Sequence, residues 1–224
     1  INYAHFNHNM ALENCVVNHL YLEHNYLNLT TKNCQAVIEQ AQVGNWNDSR
    51  SNFSLNTDIN TTFATLSWSE TGIDLNGHFI GRTEDDLIYQ KNLVMWRCTI
   101  NNGTIASSNP IFLDCNIANT QIYVFPCSIF EELRHTWTFG MEFRGNRFNG
   151  TACIHIGANN GHSDHLSEVY EVRVDGIAIT DNVFNTVVSG ITCPFWSGTN
   201  LAYRFIRGMT TYDSTDPSDR TKDY

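Results

Sequence analysis

Two histidines three positions apart, His162 and His165, bracket Ser163 and Asp164, with Glu168 close behind and His155 a short way upstream. Imidazole and carboxylate at this spacing can supply a general acid and a general base, because an imidazole takes and returns a proton near neutral pH. The same set could ligate a metal, but a polar loop also satisfies such groups by hydrogen bonding to itself and to solvent. No Cys-x-x-Cys pair accompanies it, which argues against a structural zinc knuckle, and neither a metal nor a cofactor is expected. Arg144, Arg147 and Arg173 fall near one face of neighbouring strand-like runs, where an arginine can neutralise a uronate carboxylate or pair with Glu142, Glu171 or Asp175. Trp46, Trp68, Trp137 and Trp196 are the aromatic faces available to sugar rings, whereas Trp96 is expected to point inward with Cys98. The catalytic candidates are thus His162, Asp164, His165, His155 and Arg144, and the substrate-binding candidates Trp137, Glu142, Arg147 and Trp68.

Short strands must position these groups. Ala152, Ile154 and Ile156 form the apolar parity of one strand, so Cys153 and His155 are expected to face outward beside the polar insertion 157–165. The strand signal is strongest in Gly176-Ile177-Ala178-Ile179-Thr180-Asp181-Asn182-Val183-Phe184-Asn185, where apolar alternation is interrupted by an Asn and then resumes. Asn tolerates a left-handed backbone, so an Asn between two apolar pairs marks a sharp bend joining strands of different sheets. The same pattern occurs at 141–149 and 20–28. Units of this kind cannot bury their apolar faces singly and must stack. Stacking places Leu22, Phe143 and Ile179 on one inner column, Leu27, Phe148 and Phe184 on another, and Asn25, Asn146 and Asn182 on a ladder at the bend. Asn-Cys at 14–15 and again at 33–34 suggests a return to an equivalent position one level up. Residues 128–135 are the one helix-like piece.

The composition agrees with a folded chain. Hydrophobic residues make up 42% and charged residues 16% of the 224, which excludes a disordered segment. A formal net charge of −10 argues against tracking nucleic-acid phosphates. No apolar run is long enough for a membrane-spanning helix, so membrane insertion is not expected. The seven cysteines leave at least one unpaired and read mainly as buried hydrophobes, with one or two disulfides left open. The chain starts in strand-like sequence at Ile1, which suggests a segment of something longer.

The Gly-Ile-x-Ile-x-x-Asn-x-Phe-x-Asn pattern at 176–185, with its partner at 141–149, resembles the right-handed parallel β-helix of the pectate-lyase-like superfamily. That resemblance implies an all-β solenoid over 1–206 with long polar insertions, followed by a polar tail at 207–224. It implies a polysaccharide or surface glycan as partner, at the cell exterior or on a virion. The setting is most like a bacteriophage tail spike shaft that binds, and in some cases cleaves, a bacterial surface polysaccharide. A homotrimer goes with that setting, although the residues themselves do not encode it. Two alternatives stay open: a secreted polysaccharide lyase or glycoside hydrolase, and a structural spacer or adhesin without a glycan site. Asn56-Thr57-Asp58, Asp85-Asp86 and Gly161-His162 follow the order of polygalacturonase-like motifs, but their spacing does not.

Overall fold

The computed structural model describes residues 1–6, 8–59, 65–81, 92–107, 109–124, 135–139, 141–156, 171–175, 178–192 and 203–204. Regular structure among them is all strand, and every strand pairing is parallel. Eighteen strands join in one sheet system, and His135–Phe139, Glu171–Asp175 and Tyr203–Arg204 form a separate three-stranded sheet. Of the helix-like stretch 128–135, only His135 is described, and it opens a strand. The tail 207–224 lies outside the described residues.

Parallel pairing requires a long return path between neighbouring strands, and here that path is another strand on a different face. The register shows the consequence. Met10, Leu29, Trp46, Leu66, Leu93 and Pro110 occupy one column. Leu12, Thr31, Asp48, Trp68, Met95, Phe112, Phe143 and Ile179 occupy a second. Past a bend, Val17, Ala36, Phe53, Ile73, Ile100, Ile117, Phe148 and Phe184 form a third. Ile59, Ile80, Ile105, Ile122, Ile154 and Ile191 form a fourth. Neighbours in a column are about 4.8 Å apart. Nearly all these side chains are buried, and Phe112 on Phe143 and Phe148 on Phe184 stack face to face with centroids 5.3 and 4.7 Å apart.

The bend is made the same way on every level. Asn14, Asn33, Arg50, Glu70, Arg97, Asp114, Gly145 and Asp181 all have positive φ, between 50° and 69°. The left-handed residue turns the chain so that the next side chain points inward. The residues that follow, Cys15, Cys34, Ser51, Thr71, Cys98, Cys115, Asn146 and Asn182, are therefore small or amide side chains at the inner edge of the corner. They stack directly: Gln35 N donates to Cys15 O, Asn52 N to Cys34 O, Asn116 N to Cys98 O and Val183 N to Asn146 O, at 2.8–2.9 Å. One level uses this edge to hold an acidic side chain. Asp48, 5% exposed, accepts from Thr31 Oγ1 at 2.5 Å and from Thr71 Oγ1, while Trp46 Nε1 donates to Thr31 Oγ1 at 2.9 Å. A carboxylate without such donors would be costly to bury.

The ladder expected at Asn25, Asn146 and Asn182 is correct for its upper two members and wrong for the first. Asn25 lies inside the continuous strand Val16–Lys32, and Leu22 stands between Phe6 and Ala41, not on the Phe143 column. The corners of those coils are at the Asn-Cys pairs instead, so the register passes through 14–15 and 33–34, and the spacing similarity of 20–28 is coincidental.

Asn146 is the best-satisfied corner residue. Its Oδ1 accepts from Cys115 N, and its Nδ2 donates to Phe112 O and Asn182 Oδ1, each at 2.9 Å, at 1% exposure. Asn146→Ala strands a buried N–H and a buried carbonyl and should lower unfolding free energy by about 2–4 kcal/mol. Asn185→Ala, which removes an exposed 3.5 Å contact to Asn149, should stay within about 0.5 kcal/mol of the parent. Urea titration of the two variants checks the contrast.

Candidate functional site

The candidates whose placement is described fall in more than one part of the fold. His162, Asp164 and His165 lie outside the described residues. His155 sits on the strand Cys153–Ile156, opposite Tyr123, and its ring stacks on that tyrosine at 4.4 Å with an interplanar angle of 12°. Its Nε2 lies 2.7 Å from Gln121 Oε1, which as a carbonyl oxygen accepts the bond, and burial holds the imidazole below its ordinary pKa. Strict alternation fails beside it, because Ala152, Cys153 and Ile154 are all buried. Trp68 is corrected outright. At 1% exposure, packed edge-on against Trp46, it belongs to the core and cannot meet a ligand. Trp137 lies on His135–Phe139 opposite Arg173. Asp58 of the Asn-Thr-Asp motif accepts from His78 Nδ1 and Phe79 N, both at 3.0 Å, and so clamps a loop.

Glu142, Arg144 and Arg147 do share a region. Glu142 Oε1 and Arg144 Nε are 2.9 Å apart on the outward face of one strand, and Arg147 points outward just past the Gly145-Asn146 corner. Trp96 shares that outward face: Trp96, Leu113 and Arg144 are vertical neighbours. Its expected inward position is wrong for a local reason. Trp96 and Cys98 would share parity along a straight strand, but the left-handed Arg97 between them reverses the direction, leaving Trp96 39% exposed and Cys98 buried.

The corner itself forms a charged ridge. Arg50 Nε donates to Glu70 Oε2 at 2.8 Å, Arg97 Nη1 lies 3.8 Å from Glu70 Oε1, and the Arg97 guanidinium carbon rests 4.4 Å from the centroid of the Trp96 ring. Next to the ridge lies a groove of about 410 Å³ walled by Asn52, Glu70, Asp74, Thr99 and Asn101. Its floor is Gly72, which a side chain could not replace without displacement, since a Cβ there would stand 2.4 Å from Asn52 Oδ1. Arg147 stands on the same outward column three levels on from Gly72, through Thr99 and Asn116. Amide, hydroxyl and carboxylate groups around an open floor can both donate hydrogen bonds to and accept them from hydroxyl groups. Among the described residues no three His, Cys, Asp or Glu side chains are grouped to hold a metal. The ridge was visible in the sequence as the residue before each corner Cys, Ser or Thr, the position at which strand alternation breaks.

A second cluster lies on the first coils. Glu39 accepts from Asn56 Nδ2 at 2.7 Å and pairs with His19 Nδ1 at 2.8 Å, and Tyr3 stacks on His19 with centroids 4.6 Å apart. The Asn56 and His19 hydrogen bonds hold the Glu39 carboxyl below the usual range. No protein-family model, curated protein or solved structure matches this chain.

Two measurements follow from this geometry. Gly72→Val should fill the groove floor and push Asn52 aside, lowering the thermal midpoint by a few degrees. For His155, the folded pKa lies below the unfolded value of 6.5, so the neutral ring contributes stability that is complete above pH 6.5 and is lost as pH falls through the lowered value. His155→Phe should flatten the stability profile between pH 7 and 5, as read by denaturant midpoints.

Proposed function

We propose that this chain is a parallel β-helix over residues 1–206, of the pectate-lyase-like kind, and that it engages a glycan in an extracellular or virion-surface setting, most like a tail spike shaft. The architecture is supported by four continuous inner columns and by a corner repeated with one backbone conformation. The binding role is carried by one observation: a polar groove of about 410 Å³, floored by a glycine, runs beside a ridge of alternating charge whose Arg97 lies over the exposed Trp96. Binding is preferred over cleavage because the described catalytic candidates already have partners and lie apart. Glu142 is paired with Arg144, and His155 is stacked and hydrogen-bonded on a different strand.

A glycan array probed with the purified chain tests this reading. Binding to acidic or neutral bacterial surface polysaccharides is expected, and Trp96→Ala and Thr99→Val should each weaken it by roughly 10-fold, the loss expected for one stacking or hydrogen-bonding contact. Absence of binding across the array favours a spacer. Release of new reducing ends or of unsaturated uronate absorbance favours the lyase or hydrolase.

A further inference from the structure

The inner edge of the corner carries two pairs of vertically adjacent thiols, Cys15 with Cys34 and Cys98 with Cys115. They differ in access. Cys98 and Cys115 are 1% and 2% exposed, deep under the corner, where donation to Cys98 and burial push the Cys115 thiol up. Cys15 is half-buried, and its Sγ stands 3.4 Å from Cys34 Sγ with no atom between. We propose that Cys15 and Cys34 are a built cross-linking site, which a low-molecular-weight disulfide such as glutathione disulfide converts into an inter-coil disulfide.

The geometry needs little adjustment. The two residues precede register partners Val16 and Gln35 on neighbouring parallel strands, whose spacing of about 4.8 Å falls within the Cα separation that disulfides span. Gln35 N donates to Cys15 O at 2.9 Å and Asn33 Nδ2 to Asn14 Oδ1 at 3.0 Å, so backbone and side chain already fix the two corners in register. Closing the sulfurs to about 2.05 Å needs only side-chain rotation, at the expense of the weak Cys34 contacts to Leu12 O and Lys32 O at 3.4 and 3.3 Å. The chemistry balances. The Cys15 thiolate attacks one sulfur of glutathione disulfide and expels one glutathione. Cys34 then loses its proton, attacks the Cys15 sulfur and expels the second, so two thiols become one disulfide as one glutathione disulfide becomes two glutathiones.

The effect would be local. Tyr3–Phe6 and Met10–Glu13 pair only with Val16–Lys32 among the described strands, so they form an edge of the stack. A bond from Cys15 to Cys34 closes the loop 15–34 and ties that edge to the next coil, which removes freedom mainly from the unfolded chain.

The test is to reduce the purified chain, remove the reductant, and incubate it folded with glutathione disulfide at pH 9. Alkaline conditions are chosen because burial and the neighbouring Cys34 push the Cys15 thiol up to about 11. Peptide mapping should find Cys15 joined to Cys34, while Cys98 and Cys115 alkylate only after denaturation. The thermal midpoint should rise by several degrees and fall back on dithiothreitol. In Cys34→Ser the reaction should stop at a glutathione adduct on Cys15. The proposal is overturned if the parent chain also stops at that adduct, if Cys15 or Cys34 joins another cysteine, or if both remain thiols.

Discussion

Everything in this chain depends on how it turns. One residue in the left-handed region, followed by a small or amide side chain aimed inward, converts a strand of one face into a strand of the next. The turn recurs at Asn14, Asn33, Arg50, Glu70, Arg97, Asp114, Gly145 and Asp181, at intervals of 17 to 36 residues. A left-handed backbone is unfavourable for Arg and Glu, so what holds Arg50, Glu70 and Arg97 there is the ladder of hydrogen bonds above and below them. Arg50 N donates to Ser69 O, Glu70 N to Trp96 O and Arg97 N to Leu113 O, all at 2.8–2.9 Å. Because every level supplies the acceptor for the one beneath, the corner sets the register, and the register sets which side chains become neighbours.

From that register come both the core and the surface. Inward, it collects Phe112 over Phe143 and Ile117 against Phe148, pairs that are 31 residues apart along the chain. It also gathers Thr31, Asp48 and Thr71, three polar residues from successive coils, into a satisfied buried set. Outward, it converts unremarkable single residues into lines: an Arg50, Glu70, Arg97 ridge, and an Asn52, Gly72, Thr99, Asn116, Arg147 stripe beside it. Parallel strands stacked in register make surface by repetition, so each outward position becomes a line of side chains.

Much of this architecture could be read from the sequence. Gly145-Asn146-Arg147-Phe148 and Asp181-Asn182-Val183-Phe184 show the bend directly, and the second Asn-Cys pair at 33–34 locates the coil above the first. The expected inward Trp96 fails for a reason set by the corner. Periodicity assumes a straight strand, and the left-handed corner breaks parity, which is why Trp96 is outward while Cys98 is inward. Trp68 sits on the same column as Met95 and Phe112, and no property of its own neighbours distinguishes a core tryptophan from a ligand-facing one. The groove at Gly72 was illegible for a different reason: it is made by three coils at once. Asn52, Gly72 and Thr99 meet only through the stack, so their individual spacing carries no signal.

Vertical adjacency of residues remote in sequence is most directly measured by a double-mutant cycle on Phe112 and Phe143, whose rings stack at 5.3 Å with 5° between planes. Stacking in this register predicts a coupling of about 0.5–1.5 kcal/mol between Phe112→Leu and Phe143→Leu, and none between Phe112→Leu and Phe53→Leu, which belongs to another column. Strictly additive effects for the first pair, or equal coupling in both, would contradict it.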